Sequence, residues 1–285
     1  KEEVQVATAS NAQISLTSMA TGDLWTEWLG AKMNWSGTGS RSNPYKITSL
    51  SELMGLSEAV AQGESYRGKY FELQADIDLG DLNLNKGSWN PIGWYKNAAK
   101  LSGVPKTAFE GTFDGAGNTI SGLKFTKVDH DYSYLGLFGF IKNATIKNLL
   151  LEADEISGED NVALLVGCVE GNSTIYNVTV SGAVYANGDA GTIAGKITGG
   201  SEHAVIENCT AENVVLNSEA VKGFAGGIAG NVQKTDIVDC TVSTQDGDSD
   251  RIRGKGYVGG IAGRQNQSNI YNAFVTGTIG GNLTL

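Results

Sequence analysis

Leu135-Gly-Leu-Phe-Gly139 is the first of five copies of a short glycine-bounded phrase that recurs along the second half of the chain. The later copies are Ala163-Leu-Leu-Val-Gly167, Gly191-Thr-Ile-Ala-Gly195, Gly226-Gly-Ile-Ala-Gly230 and Gly259-Gly-Ile-Ala-Gly263. Their closing glycines lie 28, 28, 35 and 33 residues apart. A phrase that recurs about every 30 residues is typical of a solenoid, in which each repeat stacks on its neighbour.

A second phrase, Ile followed two residues later by Asn or Asp, comes after each copy of the first. The five examples are Ile146-Lys-Asn148, Ile175-Tyr-Asn177, Ile206-Glu-Asn208, Ile237-Val-Asp239 and Ile270-Tyr-Asn272. Stacked coils would place the isoleucines in one buried column and the Asn or Asp residues in a column at a corner, because Asn and Asp tolerate a left-handed backbone. The closing glycine of the first phrase is expected to form another corner, since glycine adopts angles denied to other residues.

The chain divides into three parts on its sequence pattern. Residues 1–34 are expected to be a partly extended N-terminal segment, residues 35–108 an N-terminal cap, and residues 109–285 the repeats. A helix is predicted over about 49–62, where Ser49 and Glu52 fit a capping box. Such a helix would cover the open end of the stacked strands, whose backbone groups would otherwise recruit another chain.

Repeat length varies, and the extra residues are expected to form loops on the flank of the stack. They fall around 199–204, 211–222 and 242–256. Variable loops on a regular scaffold are where recognition usually occurs.

Charge and composition exclude several classes of partner. The formal net charge of the 285 residues is −10, which disfavours nucleic acid and anionic membranes because both need basic patches. The sequence has no apolar run of 18 residues, so no membrane insertion is expected in this chain. Cys168, Cys209 and Cys240 form no disulfide framework. They are expected to be free buried thiols, although a bridge between neighbouring coils stays open as the alternative.

These repeats resemble the GLUG-motif repeats of bacterial surface proteins, named for Gly-Leu-any-Gly and plainest at Gly136-Leu-Phe-Gly139. The sequence 43–123 is similar to the region that often precedes such repeats. The resemblance implies an all-β fold, a right-handed parallel β-helix solenoid with an N-terminal cap containing one α-helix. It also implies an exported protein, since the family includes adhesins and immunoglobulin A peptidases whose repeats lie outside the protease domain. No catalytic residue is carried onto this chain.

Two places in the sequence are candidate binding sites. Trp89, Trp94 and Tyr95 surround one turn and are candidates to stack on a sugar ring, but packing between the cap and the first coil is the preferred interpretation. Asp246, Asp248 and Asp250 resemble the start of a calcium loop and are the candidate metal ligands of the chain. The loop lacks the glycine expected at Arg251 and the glutamate expected at Tyr257, so a solvated acidic loop is the preferred interpretation and no cofactor is expected.

Catalytic patterns are weak in this sequence. His130 and His203 do not form the His-Glu-x-x-His pattern of a metalloprotease. Asp76 and Asp78 flank Ile77 and are expected to face outward together, as a pair of acids would in a polysaccharide-cleaving enzyme.

The sequence therefore predicts no enzyme but a non-catalytic extracellular module at a bacterial cell surface, acting as an adhesin-like binding rod or as a spacer. A host glycan or glycoprotein is the expected partner, and the chain is expected to be part of a longer polypeptide. Two alternatives stay open: a carbohydrate-active β-helix enzyme, and the stalk of a larger secreted peptidase.

Overall fold

The computed structural model of the chain describes residues 33–80, 89–93, 108–125, 132–244 and 252–281. Within them lie one helix, α1 (Leu50–Ala61), and 23 strands numbered in chain order. All pairs between these strands are parallel, so the predicted parallel β-helix is confirmed. No helix in these residues is both long enough and apolar enough to cross a membrane.

One long sheet forms the first face of the stack. Its strands follow one another in the order β1 (Tyr45–Ile47), β2 (Tyr70–Leu73), β4 (Thr112–Asp114), β7 (Thr145–Gly158), β9 (Thr174–Ala186), β12 (Ala204–Glu207), β16 (Thr235–Val238) and β21 (Asn269–Tyr271). Since β1 and β2 are already in register with the later strands, the ladder begins before the first repeat phrase.

A second face is formed by the chain that follows each Asn or Asp corner. It consists of the later parts of β7 and β9 together with β3 (Ile77–Asp78), β5 (Thr119–Phe125), β13 (Thr210–Ser218), β17 (Thr241–Thr244), β18 (Ile252–Gly254), β22 (Phe274–Thr276) and β23 (Ile279–Gly281). The expectation of a loop over 211–222 is therefore wrong. Residues up to Ser218 extend β13, and a bulge at Asn213, whose φ is 53°, absorbs the extra length.

Two smaller sheets complete each coil. The strands that contain the end of the glycine-bounded phrase are β6 (Phe138–Lys142), β8 (Val166–Gly171), β11 (Ala194–Gly199), β15 (Ala229–Gln233) and β20 (Ala262–Asn266). The chain just before them forms β10 (Ala190–Gly191), β14 (Phe224–Gly226) and β19 (Tyr257–Gly259).

The isoleucine column is present as predicted. Ile146, Ile175, Ile206, Ile237 and Ile270 stand opposite one another in consecutive strands, and the first four are at most 1% exposed. Phe71 and Phe113 extend the same column toward the N-terminus. Each buried side chain of this size contributes about 1.5–3 kcal/mol, so this column holds the stack together.

The Asn column is also confirmed. Asn148, Asn177, Asn208, Asp239 and Asn272 all have φ between 48° and 52°, the left-handed conformation that the corner requires. Asn177 Nδ2 donates to Asn148 Oδ1 at 2.7 Å, and Asn208 Nδ2 donates to Asn177 Oδ1 at 3.3 Å. The side chains therefore form a hydrogen-bonded ladder along the corner.

The closing glycines behave differently from the prediction. Gly167, Gly195, Gly230 and Gly263 do not adopt positive φ, so the expected glycine corner is wrong. A Cβ on Gly195 would lie 2.4 Å from the carbonyl carbon of Asn161. These glycines are needed because neighbouring backbone passes too close to leave room for a side chain.

Helix α1 is tied to the β1 end of the stack. Trp35 Nε1 donates to the carbonyl oxygen of Glu52 at 2.9 Å, and the Trp35 ring packs edge-on against Phe71 with centroids 5.2 Å apart. Ser49 is the N-cap residue but its side chain makes no capping bond. Glu52 instead accepts from the backbone and hydroxyl of Thr48, so the predicted capping box is displaced by one residue.

Candidate functional site

The predicted aromatic site falls partly on a core residue. Trp89 is 1% exposed, and its indole nitrogen donates to the carbonyl oxygen of Leu137 at 2.8 Å. Its ring is therefore part of the packing in this structure and does not face solvent. Trp94 and Tyr95 lie outside the described residues.

Asp246, Asp248 and Asp250 all lie outside the described residues. Among the residues that the structure does describe, no group of three His, Cys, Asp or Glu side chains is placed to hold a metal ion. A solvated acidic loop therefore stays the prediction, with a calcium site as its alternative.

Asp76 and Asp78 face outward on either side of the buried Ile77, as expected. Each carboxylate already accepts a hydrogen bond from the backbone. Asp76 Oδ1 accepts from the Thr119 N–H and Asp78 Oδ1 from the Gly80 N–H, both at 2.8 Å. These contacts give both acids a role in fixing neighbouring turns.

His203 pairs with an acid across two coils. Its Nδ1 lies 3.1 Å from Asp236 Oδ1, and Asn269 Nδ2 donates to the same oxygen at 2.7 Å. The hydrogen bond from Asn269, together with that of His203, holds the pKa of Asp236 below its usual value despite some burial. His203, Asp236 and Asn269 together join three successive coils. His130 lies outside the described residues.

The three cysteines are buried and free, as predicted. Cys209 and Cys240 occupy equivalent places in adjacent coils, and each thiol donates to the carbonyl two residues earlier. The neighbouring Cys240 thiol and burial raise the pKa of Cys209 well above its usual value. Both thiols are core residues of the column and are not reactive surface groups.

An outward-facing group of side chains on the C-terminal flank was not anticipated from sequence. It consists of Asp189, Phe224, Asn231, Tyr257 and Arg264, which we call the flank patch. Phe224 and Tyr257 stand opposite each other in β14 and β19. Their rings are stacked with centroids 5.2 Å apart and planes at 24°, and Tyr257 is 62% exposed.

A guanidinium and a carboxylate flank the two rings. Arg264 Cζ lies 5.3 Å from the centre of the Phe224 ring, within the range of a cation–π contact. Asp189 Oδ1 accepts from the Phe224 N–H at 3.1 Å, and its Oδ2 accepts from Asn231 Nδ2 at 3.0 Å. The patch therefore combines an exposed aromatic face with fixed groups of both charges.

Burial sets the electrostatics of the acid in this patch. Burial raises the pKa of Asp189 and the nearby Asp160 raises it further, which together outweigh the hydrogen bonds from Asn231 and the Phe224 backbone. Arg264 is exposed and forms no ion pair with any of the described acidic residues.

Sequence contained one signal for the patch. Phe224-Ala-Gly-Gly-Ile-Ala-Gly230 and Tyr257-Val-Gly-Gly-Ile-Ala-Gly263 place an aromatic residue at the same distance from the closing glycine. Because that position alternates with the buried Ala225 or the partly buried Val258, both rings point outward and meet. The contribution of Asp189 was hidden, since it lies a full coil away.

One repeat of the chain matches a known sequence motif. Residues 254–280, which form the coil that carries Tyr257 and Arg264, match the family model of the GLUG motif. The chain carries a GLUG motif in this segment. The match confirms the resemblance that the five repeat phrases indicated, and it places two members of the flank patch within the GLUG repeat itself.

Curated relatives share part of this chain. It is 31% identical to halomucin of Haloquadratum walsbyi over 166 residues, which are 58% of this chain and 2% of halomucin. It is 36% identical over 148 residues to a protein of Evansella cellulosilytica described as a Gly-rich membrane protein, covering 50% of this chain and 15% of that protein. The chain therefore spans a small part of the relatives that it matches.

A solved structure shares the fold. The chain resembles the crystal structure of a candidate immunoglobulin A1 protease from Bacteroides ovatus, with a TM-score of 0.55 over 86% of this chain and 78% of that chain. Sequence identity is 20%, so the likeness shows the fold alone.

Proposed function

We propose that the chain is a non-catalytic rod of a larger extracellular protein at a bacterial surface, and that its flank presents a binding face to a host glycan or glycoprotein. The observation that carries this proposal is the continuous parallel ladder from Tyr45 to Tyr271. Its interior is filled by aliphatic and aromatic side chains. Chemical variety is thus concentrated on the outward-facing positions, where a rod can engage a partner.

The relatives support a module in a larger protein. One is named as a membrane protein and the other as halomucin, and this chain corresponds to 15% and 2% of them. A repeat of this kind lengthens a protein by adding units that contact only their neighbours. We infer that the chain extends the parent protein and provides its binding surface, while other parts of the parent protein attach it to the cell.

A binding array tests the proposal. Purified chain 1–285 is applied to immobilised host glycans, mucins and immunoglobulins at about 0.15 M salt, the physiological ionic strength, with heat-unfolded chain as the control. Saturable binding by the folded chain alone is the expected result. An absence of binding across the array would contradict the recognition role and leave a spacer.

Two other functions have direct tests. For a carbohydrate-active enzyme, polysaccharides are incubated with the chain and with the Asp76→Asn, Asp78→Asn double variant, and new reducing ends are measured. Turnover that disappears in the variant would overturn the non-catalytic proposal. For the stalk of a peptidase, the parent reading frame would encode a protease domain beside these repeats.

A further inference from the structure

A polar group lies between two coils in the middle of the stack. Asp160 and Asn161 follow β7, and Asp189 stands at the equivalent corner of the next coil. We call these three residues the corner group. A further coil lies on each side of them: the Tyr134 N–H donates to the carbonyl oxygen of Asp160 at 2.9 Å, and the Phe224 N–H donates to Asp189 Oδ1 at 3.1 Å. The corner group is therefore enclosed within the repeat stack.

The two acids of the corner group have no ion-pair partner. Asp160 Oδ1 accepts from the Asp189 N–H at 2.7 Å, so the first carboxylate touches the backbone of the second acid. Burial raises the pKa of Asp189 and the charge of Asp160 raises it further, while Lys196 has a smaller opposite effect. Neither carboxylate forms an ion pair with a described Lys, Arg or His. Two half-buried acids in adjacent coils thus lack a full counter-charge.

Asn161 adds a buried oxygen atom without a partner. The residue is 4% exposed, its Nδ2 donates to Asp160 Oδ2 at 3.0 Å, and its Oδ1 accepts no hydrogen bond. Reversing the amide does not solve this, because Oδ1 would then face a carboxylate and an N–H would be left unpaired. Buried polar atoms almost always have a partner. A water molecule satisfies the amide alone, whereas a cation satisfies the amide and both carboxylates.

From these observations we propose that the corner group binds a calcium ion, which joins the two coils through oxygen atoms of Asp160, Asn161 and Asp189. Ca²⁺ takes about 6–8 oxygen ligands from carboxylates, amides and water in a flexible geometry, whereas Mg²⁺ demands a nearly ideal octahedron. The third side chain is an amide, so the site differs from a group of three His, Cys, Asp or Glu side chains, of which the described residues hold none. This site does not depend on the proposed binding of a glycan.

Calorimetric titration of EDTA-treated chain 1–285 with CaCl₂ tests the site, with MgCl₂ as the comparison. Saturable calcium binding is expected with a Kd of about 10⁻⁴–10⁻³ M, the range of weak extracellular calcium modules, and Mg²⁺ is expected to bind at least tenfold more weakly. Asp160→Asn and Asp189→Asn each keep the size of the side chain but remove a charged ligand, and each is expected to weaken calcium binding at least tenfold.

The matched control is the acidic loop, the other calcium candidate of the chain. The triple variant Asp246→Asn, Asp248→Asn, Asp250→Asn removes three charges there and is expected to keep the calcium affinity of the corner group. Hydrogen exchange gives a local measurement: amides of residues 159–162 and 187–190 are expected to exchange more slowly in calcium than in EDTA, and those of β16 to be unchanged.

Asn161→Asp separates a ligand from an amide that serves packing alone. Three neighbouring carboxylates repel one another, so this variant is expected to have a lower midpoint of thermal unfolding than the unchanged chain in EDTA. Calcium affinity rises with the charge of the ligands, so the same variant is expected to bind calcium at least threefold more tightly. A lower midpoint without tighter binding would contradict a ligand role for residue 161.

The remaining outcomes separate this inference from the proposed function. Absence of saturable binding up to about 10 mM CaCl₂, ten times the weakest expected Kd, would overturn the calcium site and leave the glycan-binding rod intact. Calcium binding that survives Asp160→Asn and Asp189→Asn, or that is lost in the triple loop variant, would place the ion elsewhere and overturn the corner group. Equal affinity for Mg²⁺ would overturn the choice of calcium.

Discussion

Asp239 stands in the corner column where the neighbouring coils have Asn. Its Oδ1 accepts from Asn272 Nδ2 at 3.0 Å, but a carboxylate has no proton to donate toward Asn208 in the preceding coil. The ladder that runs from Asn148 to Asn208 is therefore interrupted at this residue. An amide at position 239 has both a donor and an acceptor and would join the two segments.

Asp239→Asn is accordingly expected to stabilise the protein by about 0.5–1.5 kcal/mol, the usual contribution of one added hydrogen bond. Urea unfolding at neutral pH measures the change. The control is Asp154→Asn, which removes the same charge from an exposed side chain that is 3.9 Å from Lys124, and a change within about 0.5 kcal/mol is expected there. Equal stabilisation by both substitutions would point to net charge instead of the ladder.

Asp189 makes stability depend on pH. Because burial raises its pKa above the usual 3.8, ionisation is harder in the folded chain than in the unfolded one. The contribution to stability is fully present below the unfolded pKa and is lost as pH rises through the folded pKa. The free energy of unfolding of the unchanged chain, measured relative to Asp189→Asn, should therefore fall as pH rises above about 4.

Urea unfolding of both chains across a pH series measures this difference. A constant offset from the altered contact with Asn231 does not change the slope. A difference that grows in favour of the unchanged chain with rising pH would contradict the proposed sign.

Among the elements, β11 shows why the glycine-bounded phrase is so restricted. A Cβ on Gly195 would meet the carbonyl carbon of Asn161 at 2.4 Å and the nitrogen of Val162 at 2.6 Å. These are backbone atoms of the preceding coil, so relief would require that two coils separate. The glycine-bounded phrase therefore marks the place where the backbones of two adjacent coils are in close contact.

Gly195→Ala is expected to destabilise the chain by about 1–3 kcal/mol, as overpacking of a close contact does. Thermal and urea unfolding measure the loss. Gly254→Ala is the matched control, because the nearest atom to its Cβ is a methyl group of Val258 at 3.2 Å, which can shift. A loss at Gly254 as large as that at Gly195 would argue against the backbone contact as the cause.

The sequence alone predicted those elements in which the same residue type has the same structural role in every coil. The isoleucines and the Asn or Asp residues recur at fixed spacing, so their columns followed from the repeat alone. The role of Gly195 was misassigned because the backbone of the preceding coil, which leaves no room for a side chain there, is distant in sequence. The strand through Asn213 was missed because an inserted residue in the left-handed conformation allows β13 to continue. The flank patch was missed because its members come from three coils.

At the scale of the whole molecule, the two ends of the stack differ. Near α1, Leu53, Leu56 and Val60 are fully buried. In the last coil, Ile261, Ile270 and Val275 are only partly buried, and Phe274 is 65% exposed. In the chain 1–285, the described strands of this coil have a neighbour on one side only, so the local stability of this 285-residue chain is expected to decrease toward this coil.

Hydrogen exchange of the purified 1–285 chain should reveal that gradient. Backbone amides in β20 and β22 are expected to exchange at least tenfold faster than those in β8 and β9, which lie between two coils. Mass spectrometry of peptides from each coil measures the rates. Uniform protection along the stack would contradict the gradient and indicate one cooperative unit.

The uniform parallel order of the strands has a consequence for biosynthesis. Each coil forms its backbone hydrogen bonds with the coil that precedes it in sequence, and α1 comes before nearly all of them. A ribosome releases the N-terminal segments first, so the helix and the first coils are available as a template before the later coils exist. The coils can thus form one after another in the order of translation, because each new coil pairs with a coil that has already been synthesised.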